Sequence, residues 1–296
     1  MSHNTRITGA LLVLLSAFCF GIMPLFSRLA YASGADTHAV LLLRFAIAAA
    51  SLAAIMFFRR ERWPTGKLAL GLFAMGAIGY AGQSFCYFTA LRFISVSLTS
   101  LLLYTFPVIV TLIAAVWLNE PLTVRKVVAL TLASGGLVLT VGGSIGGSGI
   151  GVAIGLGAAL IYSIYIAVGT NLTPRAGSLA SSAVVMAGGA TTFALSAAVH
   201  QPVWPHAAIG WLAILAIGVL CSVIAAVAFF AGLARVGASE AAMLSTFEPV
   251  VSVGAAAILL HERLTVSQTV GGAVIIAAVL LLAWRPHSLR QAPMTT

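Results

Sequence analysis

Apolar residues run along this chain in long unbroken stretches, and polar residues gather in short clusters between them. A helix needs about 20 apolar residues to cross the hydrocarbon of a bilayer. Ten runs meet or approach that length: 7–29, 37–58, 68–90, 96–118, 124–141, 150–171, 178–199, 209–233, 239–260 and 265–284. The pattern predicts an all-α integral membrane protein of ten transmembrane helices. Turn residues punctuate the breaks: Arg59-Arg60-Glu61-Arg62-Trp63-Pro64, Thr173-Pro174-Arg175-Ala176-Gly177 and Val203-Trp204-Pro205-His206. The first run, Ile7 to Ala32, is too long for a signal-peptide core and lacks a clear small-residue cleavage site, so it reads as a retained span.

The pattern also repeats. Ser97, Pro107, Glu120 and Thr123 recur as Ser239, Pro249, Glu262 and Thr265, and Gly9 recurs as Gly151, always at a shift of 142 residues. Such a duplication sets the architecture. We expect a first five-helix repeat over 1–141, a Gly/Ser connector over 142–149, a second repeat over 150–284 and a cytoplasmic tail over 285–296. An odd number of spans per repeat inserts the second copy upside down. The halves are then related by a pseudo-two-fold axis in the membrane plane, an arrangement that recurs in secondary transporters with the substrate site near the midplane.

Composition agrees: 61% of residues are hydrophobic and 7% charged, against about 25% charged in a soluble domain. The net charge of +9 therefore reflects basic loops on one side of a bilayer rather than a nucleic-acid surface. Arg6, Arg59, Arg60, Arg62, Lys67, Arg125, Lys126, Arg175, Arg235, Arg285 and Arg290 share one side, with Arg28, Arg92 and Arg263 opposite. This bias places both termini in the cytoplasm. Trp63, Trp117, Trp204, Trp211 and Trp284 fall near span ends, as an interfacial belt requires. Cys19, Cys86 and Cys221 lie within apolar runs and form neither a disulfide framework nor a metal-ligand spacing.

Candidate chemistry lies mid-span. Tyr80, Tyr104, Tyr162 and Tyr165 cannot leave their hydroxyls in lipid, so they face protein or a wet cavity. Helical spacing groups Tyr80, Gln83, Ser84 and Tyr87 on one face, and Ser97, Ser100, Tyr104, Pro107 and Thr111 on another. Ser16, Phe20, Met23 and Ser27 form a third stripe, the repeat twins of Phe20 and Met23 being Tyr162 and Tyr165. Ser222, Phe229 and Phe230, with Met243, Ser245, Thr246, Glu248 and Ser252, complete a central lining from spans 1, 3, 4, 6, 8 and 9. Spans 5 and 10 carry Gly135-Gly136 and Gly271-Gly272, which suit close helix packing. A single Ser or Thr in this set could equally back-bond to its own helix. Two charges lie deep. Glu248 could exchange a proton, bind a cation, or tie up backbone freed by Pro249; Arg44 is long enough to snorkel or to brace a neighbouring helix, a structural role favoured over a functional one. Glu120 and Glu262, in matched positions, read as helix-end contacts. Pro107 and Pro249 are twin mid-helix candidates for a hinge, or for static kinks.

Leu43-Arg44-Phe45, Phe247-Glu248-Pro249-Val250 and the paired closings Glu120-Pro121-Leu122-Thr123 and Glu262-Arg263-Leu264-Thr265 resemble the EamA family of the drug/metabolite transporter superfamily. The resemblance covers essentially the whole chain. It implies an exporter of small metabolites in a bacterial inner membrane. The aromatic centre is similar to members that export aromatic and other neutral amino acids. The resulting expectation is a monomer that takes a small solute by alternating access without a cofactor. A different solute, such as a drug-like cation or a nucleobase, moved by proton coupling through Glu248, is the alternative. A passive scaffold, which has no need of buried tyrosines and an intramembrane Glu, fits less well, and so does a membrane enzyme. The spans hold no metal-binding His-Glu-x-x-His helix, no aspartate pair and no Ser/His couple, and His38, His200, His206, His261 and His287 all fall at or beyond span ends.

Overall fold

Hydrocarbon offers the backbone no hydrogen-bond partners, so a long apolar run must satisfy its own N–H and C=O groups, which a lone segment does only as a helix. The structure, a computed structural model, describes residues 3–90, 93, 94, 99, 102–141, 148–259 and 266–283. The connector after Val141, the His261–Thr265 closing and the tail lie outside the described residues. In the first half, α1 (His3–Gly21) and α2 (Met23–Ala32) form one broken stretch, followed by α3 (Thr37–Arg59). Next come α4 (Gly66–Ala74), a π-helical segment (Met75–Tyr80) and α5 (Ala81–Ala90), then α6 (Phe106–Trp117) and α7 (Val124–Val141). The second half holds α8 (Gly149–Ala176), α9 (Ser178–Val199), α10 (Ala208–Gly218), a second π segment (Val219–Ile224), α11 (Ala225–Val236), α12 (Ala238–Ser245), α13 (Glu248–Leu259) and α14 (Val266–Ala283).

The described residues are helical, with no strand among them. Six stretches are long and apolar enough to cross a membrane: Thr5–Ala32, Thr37–Arg59, Gly66–Tyr87, Gly149–Ala176, Ser178–Val199 and Ala208–Val236. Phe106–Trp117 and Thr269–Ala278 are shorter apolar helices. The outer surface is itself apolar, with Phe57, Phe58, Val116, Trp117 and Ile258 exposed; such a face suits lipid rather than water.

Local chemistry sets the helix ends. The Asp36 carboxylate accepts the Ala39 N–H at 2.8 Å and caps α3. Gly237 bends the chain between α11 and α12 at φ +83, a conformation open to glycine. Three expected spans are interrupted. The run 7–29 breaks at Ile22 ahead of Pro24, and 239–260 breaks at Thr246-Phe247 ahead of Pro249. The run 96–118 turns at Tyr104-Thr105 before α6 starts at Phe106. Pro107 and Pro249 therefore sit in the first turns of half-helices. There a missing N–H costs nothing, because the first-turn N–H groups have no intrahelical partner.

Packing follows the repeat. α1 packs on α11, and α8, the helix that repeats α1, packs on α5. The pairs α3–α9 and α7–α14 each join one helix to its own repeat copy. Glycines allow the closest approaches. A Cβ at Gly76 would meet the Val185 backbone, and one at Gly188 would meet the Phe73 carbonyl. At Gly136 it would lie 2.8 Å from the Gly271 carbonyl, so the glycines expected to suit close packing bring the last spans of the two halves against each other.

Gly76→Ala and Gly188→Ala should each lower the thermal midpoint of the purified protein, at an overpacking cost of about 1–3 kcal/mol. Gly135→Ala, which meets nothing within 4 Å, should leave the midpoint unchanged. Equal midpoints for all three variants would contradict this packing.

Candidate substrate site

The site grows from two irregular helices. The π segments Met75–Tyr80 and Val219–Ile224 each carry one extra residue per turn, which leaves carbonyls without their usual partners. Thr192 Oγ1 donates to the Ala77 carbonyl at 2.9 Å, and Ser222 Oγ donates to the Ile217 carbonyl at 2.9 Å. The segments also aim Tyr80 and Ser222, repeat twins 142 apart, at Arg44 of α3. Arg44 Nε donates to Ser222 Oγ at 3.0 Å, and its Nη2 donates to the Tyr80 hydroxyl. The guanidinium lies 5.3 Å from the ring centroids of both Phe45 and Tyr80, within cation–π range. Arg44 is 4% exposed, yet among the described residues it joins no ion pair.

A wall of rings leads away from it. Tyr80 stacks on Tyr165 at 5.4 Å, and Tyr165 on Tyr162 at 5.8 Å. Tyr162 meets Phe106 edge-on at 4.8 Å, and Phe106 lies 6.1 Å from Tyr104. Phe230 and then Phe229 continue the wall from Tyr165 onto α11. At the far end Tyr104 shares a hydrogen bond with Glu248. Glu248 is the first residue of α13, where the unpaired N–H groups of a helix N-terminus favour a carboxylate. Its repeat twin, Phe106, is the first residue of α6. Glu248 and Arg44 lie within electrostatic reach of each other. Tyr162, Tyr87, Phe20 and Glu248 are partly accessible, while Tyr80, Tyr104, Phe106 and Tyr165 are buried.

The remaining candidates divide. Gln83 and Ser84 are buried on α5, the Ser84 hydroxyl donating to Gln83 Oε1 at 3.4 Å. Phe229 and Met243 are buried in the main core. Thr246 is spent locally, donating to the Met243 carbonyl at 2.6 Å. Met23 does not join the tyrosines. It packs on a separate apolar cluster of Ala30, Val40, Ala213 and Ile214, because the break at Ile22 turns α2 out of register with α1. Ser97 and Ser100 lie outside the described residues. Arg44, expected to brace a neighbouring helix, does bridge two of them, through Tyr80 and Ser222. The available signal for these partners was the repeat register, which pairs Tyr80 with Ser222. Among the described residues no three His, Cys, Asp or Glu side chains gather to hold a metal ion.

A second polar cluster closes one end of the bundle. Glu120, between α6 and α7, accepts from Lys126 Nζ at 2.9 Å and from the Ala238 N–H at the start of α12 at 2.9 Å. Glu240 of α12 pairs with Arg6 of α1, and Arg125 Nε donates to the Leu281 carbonyl of α14 at 2.6 Å. Arg6, Glu120, Arg125, Lys126 and Glu240 line a cleft of about 530 Å³. Every one of these bonds except Glu120–Lys126 joins one half of the chain to the other.

The comparisons with known proteins fit this architecture. A model of the EamA-like transporter family matches twice, over residues 7–142 and 149–284. The chain belongs to that family. It is 26% identical over 282 residues to the uncharacterized transporter YcbK of Bacillus subtilis (strain 168), covering 89% of this chain and 88% of the relative. It is 27% identical over 278 residues to an uncharacterized transporter of Archaeoglobus fulgidus, covering 94% and 96%. A solved crystal structure shares the fold at a TM-score of 0.80 and 23% identity, over 93% of this chain and 96% of that one.

Burial acts on Glu120 by raising its pKa. The Lys126 ammonium and the Ala238 N–H, both hydrogen-bonded to it, outweigh burial and hold the carboxyl below its ordinary value. A lowered folded pKa means stability that is present above the ordinary glutamate pKa, about 4.3, and lost as pH falls through the folded value. Wild type should therefore melt above Glu120→Gln at neutral pH, and the gap should narrow as the medium is acidified. A gap independent of pH would contradict the contact.

Proposed function

We propose that this transporter exports small metabolites, neutral and aromatic amino acids foremost, across a bacterial inner membrane. It does so by alternating access between two inverted five-helix repeats, 1–141 and 150–284, joined by 142–149. Ten spans, cytoplasmic termini and a cytoplasmic tail over 285–296 complete the reading, with a monomer as the working unit. The observation that carries it is the tyrosine wall between the halves, ended by Arg44 and Glu248 and bordered by accessible surface. Flat rings hold an apolar or aromatic side chain over a large area. The paired helix breaks at Tyr104-Thr105 and Thr246-Phe247 support a midplane site, since broken helices build such sites in transporters of inverted design. Pro107 and Pro249, each just past a break, are the hinge positions of this reading.

Glu248 favours a second mode in which a different solute moves with protons. A carboxylate at a half-helix N-terminus, partly accessible and hydrogen-bonded to a tyrosine, can take up and release a proton as access alternates.

Purified protein in proteoliposomes should carry labelled phenylalanine or methionine saturably. Flux of neither, with or without a pH gradient, would move the function to another solute class. If transport is coupled, Glu248→Gln should abolish the gradient-driven component. Unchanged gradient dependence in that variant would exclude Glu248 as the coupling group.

A further inference from the structure

We infer that Arg44 is the recognition point for the carboxylate of the transported solute, so that the site selects small carboxylates with an apolar side chain. This rests on the export reading only for the direction and purpose of transport. A guanidinium presents five N–H donors in a planar fork. Two of them go to neutral hydroxyls, Tyr80 and Ser222. Neither hydroxyl neutralises the charge, and Glu248 acts on it from a distance without forming an ion pair. A charge left so deep in an apolar bundle is costly, and default expectation ties it to function.

Geometry supports the same assignment. Nε and Nη2 are anchored by groups from both halves, which fixes the plane of the fork without using its remaining donors. A planar fork matches a carboxylate in two parallel hydrogen bonds, a match that a lysine cannot make. The tyrosine wall begins at the same guanidinium: Tyr80 both accepts from Arg44 and stacks on Tyr165. A ligand held by its carboxylate at Arg44 would therefore direct its side chain past Tyr80 toward Tyr162, the partly accessible ring of the wall. A purely bracing arginine needs its two hydroxyl acceptors and nothing more. It would not confer a preference among ligands.

The test is ligand stabilisation of the full-length protein in detergent, read as the thermal midpoint against concentration. The probes are L-phenylalanine, 3-phenylpropionate and phenethylamine. A ligand that binds the folded state raises its midpoint. Both acids should stabilise wild type at concentrations about tenfold or more below that needed for phenethylamine, the scale of a charge-assisted hydrogen-bond pair. Arg44→Gln should bring the three to within about twofold, and Arg44→Lys should restore only part of the preference. Phenethylamine stabilising as well as the acids, Arg44→Gln keeping the preference, or no stabilisation by any of the three would each overturn the assignment. If Arg44→Gln does not fold, the wild-type ranking decides. Stabilisation by the acids without flux of any amino acid would overturn the export reading and leave this one standing. Amino-acid flux with no preference for carboxylates would do the reverse.

Discussion

Hydrocarbon supplies no hydrogen bonds, and the inner architecture of this transporter follows from that. Most polar groups within its helices are answered close by. Ser27, Thr111, Ser163 and Ser245 each return a hydroxyl to the carbonyl four residues earlier. Where a helix departs from regular geometry, the freed carbonyl is taken by a hydroxyl, as Thr192 and Ser222 do at the π segments. Arg44 extends the same logic to a charge. It is tolerable in the bundle because Tyr80, Ser222 and two ring faces surround it. Those partners also hold the two halves in a fixed relation at the centre.

Duplication gave the chain a symmetric backbone, and divergence made the site asymmetric. Twin π segments deliver Tyr80 from one half and Ser222 from the other to a single arginine. Arg44 itself is twinned with the fully buried Met186, and Glu248 with Phe106. One half thus contributes the cation and the other the carboxylate. The tyrosines concentrate on the first π segment, α5, α8 and the turn before α6, while Phe20 and Met23, the twins of Tyr162 and Tyr165, are apolar. A symmetric pore would present the same chemistry from both directions. The present arrangement has distinct poles joined by an aromatic surface, which suits a solute with a polar head and an apolar body.

The run pattern and the 142-residue shift were enough to read the helical class and the repeat, because hydropathy and register are local properties of a sequence. The tyrosine group was legible for a related reason: a phenol deep in a span has nowhere to point but inward. The breaks were not. A stripe drawn through Ser16, Phe20, Met23 and Ser27 assumes one continuous helix, and the interruption at Ile22 carries Met23 into a different cluster. One extra residue in a π turn is likewise invisible to a 3.6-residue period. The acceptors that Arg44 bridges were not legible, because they lie 36 and 178 residues away in sequence. The bond from Ala238 to Glu120, 118 residues apart, was beyond reach for the same reason, although the matched glutamates pointed to a helix-end contact.

The proposed alternating access requires the halves to part at the end that Glu120 and Ala238 hold together at 2.9 Å. The most direct measurement is flux through protein carrying Glu120→Cys and Ala238→Cys, with Cys19, Cys86 and Cys221 replaced. Oxidation to the disulfide should stop transport, and reduction should restore it. Flux at the same rate in the oxidised and reduced protein would contradict alternating access at this contact.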